Sequence, residues 1–233
     1  MKIGVIGAMD IEIASLVSLL GSHAEKTYAG MVFRKGMIGG TEVIIAKCGV
    51  GKVNAAVCAE IMCGFFCVDV LVNTGVAGSL DNSLDIGDIV VSRDAVQHDV
   101  DAVNFGYAYG EIPSSGMRYF VADEDIARKC MRALEDMGVA HWLGRIASGD
   151  QFVRTRERKA WIRETFAAHC CEMEGASIAQ VAVLNKIPFV LVRAISDKAD
   201  ESVSESYDVF EEKAARHCAE LIGRIVPMIS WRE

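Results

Sequence analysis

Although 52% of the residues are apolar, the chain has no unbroken apolar run of about 18 residues, the length a membrane-spanning helix needs. A secretory signal is missing too: the apolar stretch Met1–Gly7 is short and leads straight into Asp10 and Glu12. A cytoplasmic protein is expected. Positive charge is in deficit, with 24 Lys and Arg against 32 Asp and Glu and a net charge of −8. Nucleic acid and anionic membranes both select a cationic face, so neither is expected as a partner. No block of about five or six like charges supplies a basic tail.

Signature motifs of several chemistries are also missing. There is no Gly-x-Ser-x-Gly elbow, no His-Glu-x-x-His helix and no Gly-x-Gly-x-x-Gly dinucleotide turn. Cys48-Gly49-Val50-Gly51-Lys52-Val53-Asn54 superficially resembles a phosphate loop but lacks the Walker spacing and the hydroxyl residue after lysine. Its glycines suit a backbone that lines a pocket. The eight cysteines contain no Cys-x-x-Cys pair, and Cys63 and Cys67 have no His-x-x-x-His to complete a zinc set. Reduced thiols serving as small core residues are expected, with no disulfide framework. His98, Asp99 and Asp101 have no metal-specific spacing, and no metal is expected.

What the chain does contain is an alternation of strands and helices. Lys2–Gly7 is a short strand ended by glycine, and Ile11–Leu20 has helical spacing with Asp10 as N-cap and Glu12 in the first turn. Short alternating pieces follow at Val32–Phe33, Met37–Ile38 and Val43–Ala46, with Gly39-Gly40 suited to a hairpin turn. A helix runs from the glycine loop to about Phe66; Asp69–Asn73 is a buried strand that leads into the small residues Thr74–Ser79, a pocket floor. Ile86–Ser92 is a strand, and Asp94–Pro113 is a long irregular segment whose aromatics suit a lid or a subunit interface. Asp123–Met137 is an amphipathic helix opened by an Asp cap, His141–Ser148 a strand, Gly149–Val153 a loop and Glu157–Phe166 a helix. The basic run Arg154–Lys159 is expected on a solvated helix face. Val190–Asp197 is a strand ending on an acid, and Tyr207–Met228 a terminal amphipathic helix. The expectation is one α/β domain spanning 1–233, with helices on both sides of a central mixed sheet.

Chemistry concentrates in Cys170-Cys171-Glu172-Met173-Glu174-Gly175-Ala176-Ser177, where two carboxylates flank a methionine between an apolar strand and an apolar helix. Carboxylates are rarely placed there unless something pairs with them. Glu12, Glu174 and Asp197 all stand at element ends after apolar strands, where α/β folds build their sites. Carboxylates alone suit hydrolysis through an oxocarbenium-like state, in which one acid protonates the leaving group and another activates water. Structural roles compete on residue type alone: Glu12 could complement a helix dipole, and Glu174 and Asp197 could pair with a buried arginine or cap a helix.

The whole set of segments resembles the 5′-methylthioadenosine/S-adenosylhomocysteine nucleosidases of the nucleoside phosphorylase-like superfamily. The resemblance rests on Met1–Met9 leading to Glu12, Gly49–Ala56, Asn73-Thr74-Gly75 to Gly78, Gly87–Ser92, Phe105-Gly106-Tyr107, Ser148-Gly149-Asp150 with Phe152, Glu172–Ala176, and Arg193–Asp197. These cover nearly the whole chain in family order. The resemblance implies a nucleoside phosphorylase-like three-layer sandwich and an enzyme of methionine salvage that releases adenine from both thioethers, extending to 5′-deoxyadenosine. By resemblance, Asp197 donates a proton to N7 of adenine, its carboxyl being protonated when it acts, and Glu12 activates the attacking water. Glu174 holds the ribose hydroxyls with Met173 against the sugar, and Arg193 helps place the water or Glu12. Phe152 stacks on the base, and the Val153 backbone meets its Watson–Crick edge. Val76, Ala77, Gly78 and Ser196 belong to the same binding wall; Ala8, Met9, Val50 and Tyr207 line the 5′-alkylthio pocket. Family members are homodimers in which the partner's copies of Phe105, Tyr107 and Pro113 close that pocket. No metal or cofactor is implied.

The chain departs from the family pattern at Val76, where many relatives carry serine near the water; the change removes a hydroxyl and leaves a backbone N–H. Asp10 replaces a more usual glutamate, and Ala102 is small within the aromatic loop. Three other readings compete. A purine nucleoside phosphorylase needs a phosphate site, but the turn reads Gly7-Ala8-Met9-Asp10 rather than Gly-Asp-Pro-x-Arg, and Glu12 repels a phosphate dianion. An aminodeoxyfutalosine nucleosidase would use the same acids. A noncatalytic nucleoside-binding module is disfavoured by the presence of all three acids.

Overall fold

The computed structural model describes residues 1–198 and 207–230, with side chains described from 214 to 229 in the second segment. Strand β1 (Lys2–Gly7) leads into helix α1 (Asp10–Leu19), and β2 (Ala24–Tyr28), β3 (Met31–Ile38) and β4 (Thr41–Lys47) form an antiparallel meander. Helix α2 (Lys52–Gly64), β5 (Val70–Ser79), β6 (Ile89–Gln97), the short β7 (Phe120–Val121) and α3 (Glu124–Asp136) follow. The chain continues through β8 (His141–Ser148), α4 (Arg156–Phe166), β9 (Cys170–Glu172), α5 (Gly175–Leu184), β10 (Phe189–Asp197) and α6 (Tyr207–Ser230).

The strands make one mixed sheet. β1 lies parallel between β4 and β5, and β5 pairs in parallel with β10. Because β5 also bonds β9, the strands β5, β10, β6, β8 and β9 close into a ring. Period-two burial sorts side chains to its faces. Val190 and Val192 pack with Leu16, Leu134 and Ile222 beneath α1, α3 and α6, whereas Leu191 packs with Cys58, Met62 and Ile178 beneath α2 and α5. Helices therefore cover both sides of a central mixed sheet, as the alternating pattern predicts. Among the described residues no helix is long and apolar enough to cross a membrane.

Among the boundaries that differ from the sequence reading, three bear on the site or its supports. Thr74–Ser79 does not leave the sheet; it stays paired to β10 in register as far as Ala77 opposite Ile195, and after a shift Gly78 pairs with Asp197. Small residues carry little strand propensity of their own, and the long neighbouring strand keeps them extended. Asp94–Gln97 is likewise strand rather than irregular, because Asp94 is buried against Arg145, whose guanidinium donates to it at 2.6 and 2.9 Å. Helix α1 starts at Asp10, not after it, with Met9 as N-cap; the Asp10 carboxylate instead pairs with Lys47 Nζ at 2.7 Å.

Leu16, fully buried one turn beyond Glu12, fastens α1 to the sheet and to α6. Leu16→Ala is expected to cost about 2–5 kcal/mol, read as a lower denaturant midpoint with an unchanged m-value.

Candidate active site

A cavity of about 250 Å³ opens where β1, β5, β9 and β10 end. Ala8, Met9 and Glu12 enter it from the β1–α1 turn, and Val76, Ala77 and Gly78 from β5. Met173 and Glu174 come from the β9–α5 junction, Ser196 and Asp197 from the end of β10. Val50 of the glycine loop, with Phe152 and Val153 after β8, completes the wall. Elements distant in sequence thus bring Glu12, Glu174 and Asp197 to one cavity, as parallel strands do at their carboxyl ends.

Glu12 is held by the backbone. Its Oε2 accepts from the N–H groups of Ala8 at 2.6 Å and Met9 at 3.0 Å, and its Oε1 from the N–H of Val76 at 3.1 Å. The N–H at position 76 is thus present although its side chain is apolar. Gly75 makes room for this: a Cβ there would lie 2.5 Å from Glu12 Oε1. Burial raises the Glu12 pKa, against the opposing pull of Arg193 and the three amides.

Glu172 in the cavity wall and Arg193 behind it form a buried pair. Arg193 NH2 donates to Glu172 Oε2 at 2.6 Å and also to Asn73 Oδ1, which ties β10 to β9 and β5. Glu172 Oε2 further accepts from the N–H groups of Glu174 at 3.0 Å and Gly175 at 2.8 Å, so it serves the start of α5. Ser148 Oγ donates to its other oxygen. Burial works against the Glu172 anion, but Arg193 and these donors hold its pKa below the ordinary value. Glu174 has the opposite fate. Burial first, then the Glu172 charge, push its carboxyl up to about 7, although Gly51 N–H donates to its Oε1 at 2.8 Å. Gly51 can offer that amide because its φ of 99° suits glycine alone.

Asp197 follows a register shift between Ile195 and Asp197, which re-aims its side chain. Its Oδ1 lies 3.1 Å from Ser196 Oγ, and a Cβ at Gly78 would lie 3.0 Å from that same oxygen. Lys159 Nζ binds its Oδ2 at 2.7 Å. Lys159 is therefore not part of a solvated face; only 4% of it is exposed. Cys171 also borders the cavity, but burial pushes its thiol up to about 12 and keeps it protonated.

Several expected residues lie elsewhere. Arg193 is 1% exposed and does not reach the cavity; its charge acts on Glu12 from behind Glu172. Phe105, Tyr107 and Pro113 are away from this cavity in the single chain, with Phe105 84% exposed. The Tyr207 side chain lies outside the described residues. Asp99 is engaged by Lys52 Nζ at 2.7 Å and by the Asp150 N–H at 2.9 Å, while burial holds His98 at about 4 and hence neutral. Lys52 is thereby occupied rather than poised over a phosphate. Sequence reasoning missed the pairing role of Glu172 and the inward turn of Lys159. Glu172 stands three residues before Gly175 at a helix start, a spacing that could have marked it.

The phosphorylase superfamily model matches residues 2–227. A 5′-methylthioadenosine/S-adenosylhomocysteine nucleosidase from Geobacillus kaustophilus is 42% identical over 224 residues, covering 95% of each chain. The crystal structure of a Campylobacter jejuni 5′-methylthioadenosine/S-adenosylhomocysteine nucleosidase superposes with a TM-score of 0.94 at 33% identity, covering 98% of this chain and 99% of that one. The structure of a futalosine hydrolase from Helicobacter pylori gives a TM-score of 0.92 at 37% identity over 98% of both chains.

Because the Glu172 charge adds to the effect of burial on Glu174, Glu172→Gln is expected to lower the Glu174 titration midpoint from about 7 without returning it to 4.5. Carbon-13 NMR of labelled glutamate side chains measures the shift; a midpoint that rose would contradict the charge coupling.

Proposed function

The chain belongs to the phosphorylase superfamily, and on that premise we propose how its cavity works as the active site of a nucleosidase. The enzyme hydrolyses the N-glycosidic bond of 5′-methylthioadenosine and S-adenosylhomocysteine, releasing adenine and the 5′-substituted ribose. The observation that carries the mechanism is the convergence of Glu12, Glu174 and Asp197 on one cavity with, among the described residues, no other activated nucleophile beside them.

Asp197 supplies a proton to N7, so that the base leaves as neutral adenine rather than as an anion. Glu12, fixed by three backbone amides, orients the water and takes its proton as the oxygen attacks the anomeric carbon. Its raised pKa suits proton uptake better than an ordinary carboxylate would. Glu174 accepts from the ribose hydroxyls, with Met173 against the sugar. Phe152, 68% exposed, stacks on adenine, while Val153 offers its backbone to the base edge. Ala8, Met9 and Val50, with Tyr207, surround the alkylthio group. Arg193 works at a distance, by holding Glu172 and biasing Glu12 through its charge. The reaction uses acid–base chemistry alone, within one catalytic domain spanning 1–233.

The exposed Phe105, with Val50 and Val53 also 51% and 73% exposed, supports a homodimer in which the partner's aromatic loop covers the alkylthio end. Eight free cysteines and the methionine-salvage substrate support a cytoplasmic setting. The futalosine hydrolase neighbour favours a second substrate class, aminodeoxyfutalosine, for the same acids.

Adenine release from methylthioadenosine is expected to proceed in phosphate-free buffer at a rate that added phosphate leaves unchanged. A phosphate-dependent rate with a ribose 1-phosphate product would make the chain a phosphorylase. Asp197→Asn is expected to lower kcat by about 10²–10⁴-fold with a smaller change in KM. Values of kcat/KM measured side by side rank methylthioadenosine, S-adenosylhomocysteine, 5′-deoxyadenosine and aminodeoxyfutalosine.

A further inference from the structure

We propose that Lys159 is a positioning residue for the proton donor: its ammonium holds the Asp197 carboxyl group in place and stabilises the negative charge that appears there as the proton passes to the departing base. The proposal rests on Asp197 being the general acid.

The placement of Lys159 is the first support. Helix α4 turns an apolar stripe inward through Ile162 and Phe166, which pack with Leu80 and Val96. Lys159 stands three residues before Ile162 and seven before Phe166, so it occupies the same stripe. A lysine at a core-facing position is costly unless paired. Here the ammonium has two partners, Asp197 Oδ2 at 2.7 Å and the backbone carbonyl of Lys198 at 2.8 Å. Its basic neighbours point elsewhere: Arg158 reaches Gln151, and Arg163 pairs with Asp81 at 3.0 Å.

The second support is what surrounds Asp197. Ser196 offers a neutral hydroxyl, Gly78 has no side chain, and Cys171 keeps its proton. The ammonium of Lys198 lies on Asp85 at 2.5 Å. Among the described residues, the cation bonded to Asp197 is Lys159.

The charge balance of the reaction then assigns the work. In the complex that reacts, Asp197 carries the proton. As the glycosidic bond breaks, its electron pair passes into the purine, N7 takes the proton, and the carboxylate is left with a full negative charge. The attacking water bonds to the anomeric carbon and gives its proton to Glu12. A buried ammonium interacts weakly with the neutral acid and strongly with the carboxylate, so its contribution grows towards the transition state. Such an interaction raises kcat and leaves KM nearly unchanged. Two bonds from one ammonium also fix the end of β10 that carries the acid.

The test compares Lys159→Met, Lys159→Gln, Lys159→Arg and Asp197→Asn on two substrates. One is methylthioadenosine; the other is a 4-nitrophenyl riboside, whose phenolate leaves without being protonated. Lys159→Met and Lys159→Gln are expected to lower kcat for methylthioadenosine by about 10²-fold, to change KM little, and to slow the nitrophenyl substrate far less. Lys159→Arg is expected to recover most of the loss. Two neutral variants keep the comparison available if one folds poorly. An unchanged kcat, equal losses on both substrates, or failure of arginine to rescue would each overturn the proposal. Where the nitrophenyl riboside is not turned over by the unaltered enzyme, the split between kcat and KM and the arginine rescue decide. Loss of adenine release in Asp197→Asn with normal release in both neutral Lys159 variants would overturn this inference alone; normal release in Asp197→Asn would overturn the reading of Asp197 as well.

Discussion

Arg193 and Glu172 are each almost wholly shielded from water, so neither charge is tolerable without the other. Removing one partner from such a pair costs about 3–5 kcal/mol, because the remaining ion is buried alone. The pair also organises what lies around it. Through Asn73, which donates to the Ile6 carbonyl at 2.8 Å, it reaches β1; through Ser148 it reaches β8; through two amides it sets the start of α5. One ion pair thereby fixes the ends of the strands that carry the site. Its field then divides the neighbouring acids: Glu172 stays ionised, while Glu174, next along the chain but one, is pushed to about 7. Two glutamates separated by a methionine have opposite charge behaviour because only one of them owns the arginine.

The packing of the acids depends as much on missing atoms as on charges. Gly75 and Gly78 stand on the same strand, and each faces one of the two acids assigned to chemistry. Neither position needs glycine for its backbone angles; both need it for space. A methyl group at Gly75 would collide with Glu12 Oε1, and one at Gly78 would press on Asp197. Small residues at the end of β5 are thus the complement of carboxylates arriving from α1 and β10.

Most of the fold was legible in the sequence because its signals were local. Apolar runs of five to ten residues marked the buried strands, and Asp123 marked the start of α3, where its side chain accepts from Ile126 N–H at 3.0 Å. The errors came where tertiary contacts override local preference. Small residues from Thr74 to Ser79 read as a pocket floor beyond the strand; Val76, Ala77 and Gly78 do line the cavity, and the stretch is also strand, because β10 pairs with it. A polar segment from Asp94 to Gln97 looked irregular and is strand, because Arg145 compensates the buried Asp94. Within the site, the cavity-facing acids stood out as charges at strand ends. Lys159 did not, since a lysine in a run of arginines looks solvated unless its helical phase is compared with Ile162 and Phe166. Arg193 stood out as a residue but not for its place: a strand arginine can face a ligand or sit behind an acid, and spacing alone does not distinguish them.

Three amides converge on Glu12, from Ala8, Met9 and Val76. Amides gathered in this way form a seat for small oxyanions. Here the seat is filled from within the chain, by a side chain that cannot diffuse away. A free inorganic anion finds its donors already taken and a carboxylate in its path, whereas water needs only one acceptor and carries no charge. On the proposed mechanism, the choice of nucleophile in a superfamily named for phosphorolysis is written into the occupancy of one small backbone nest.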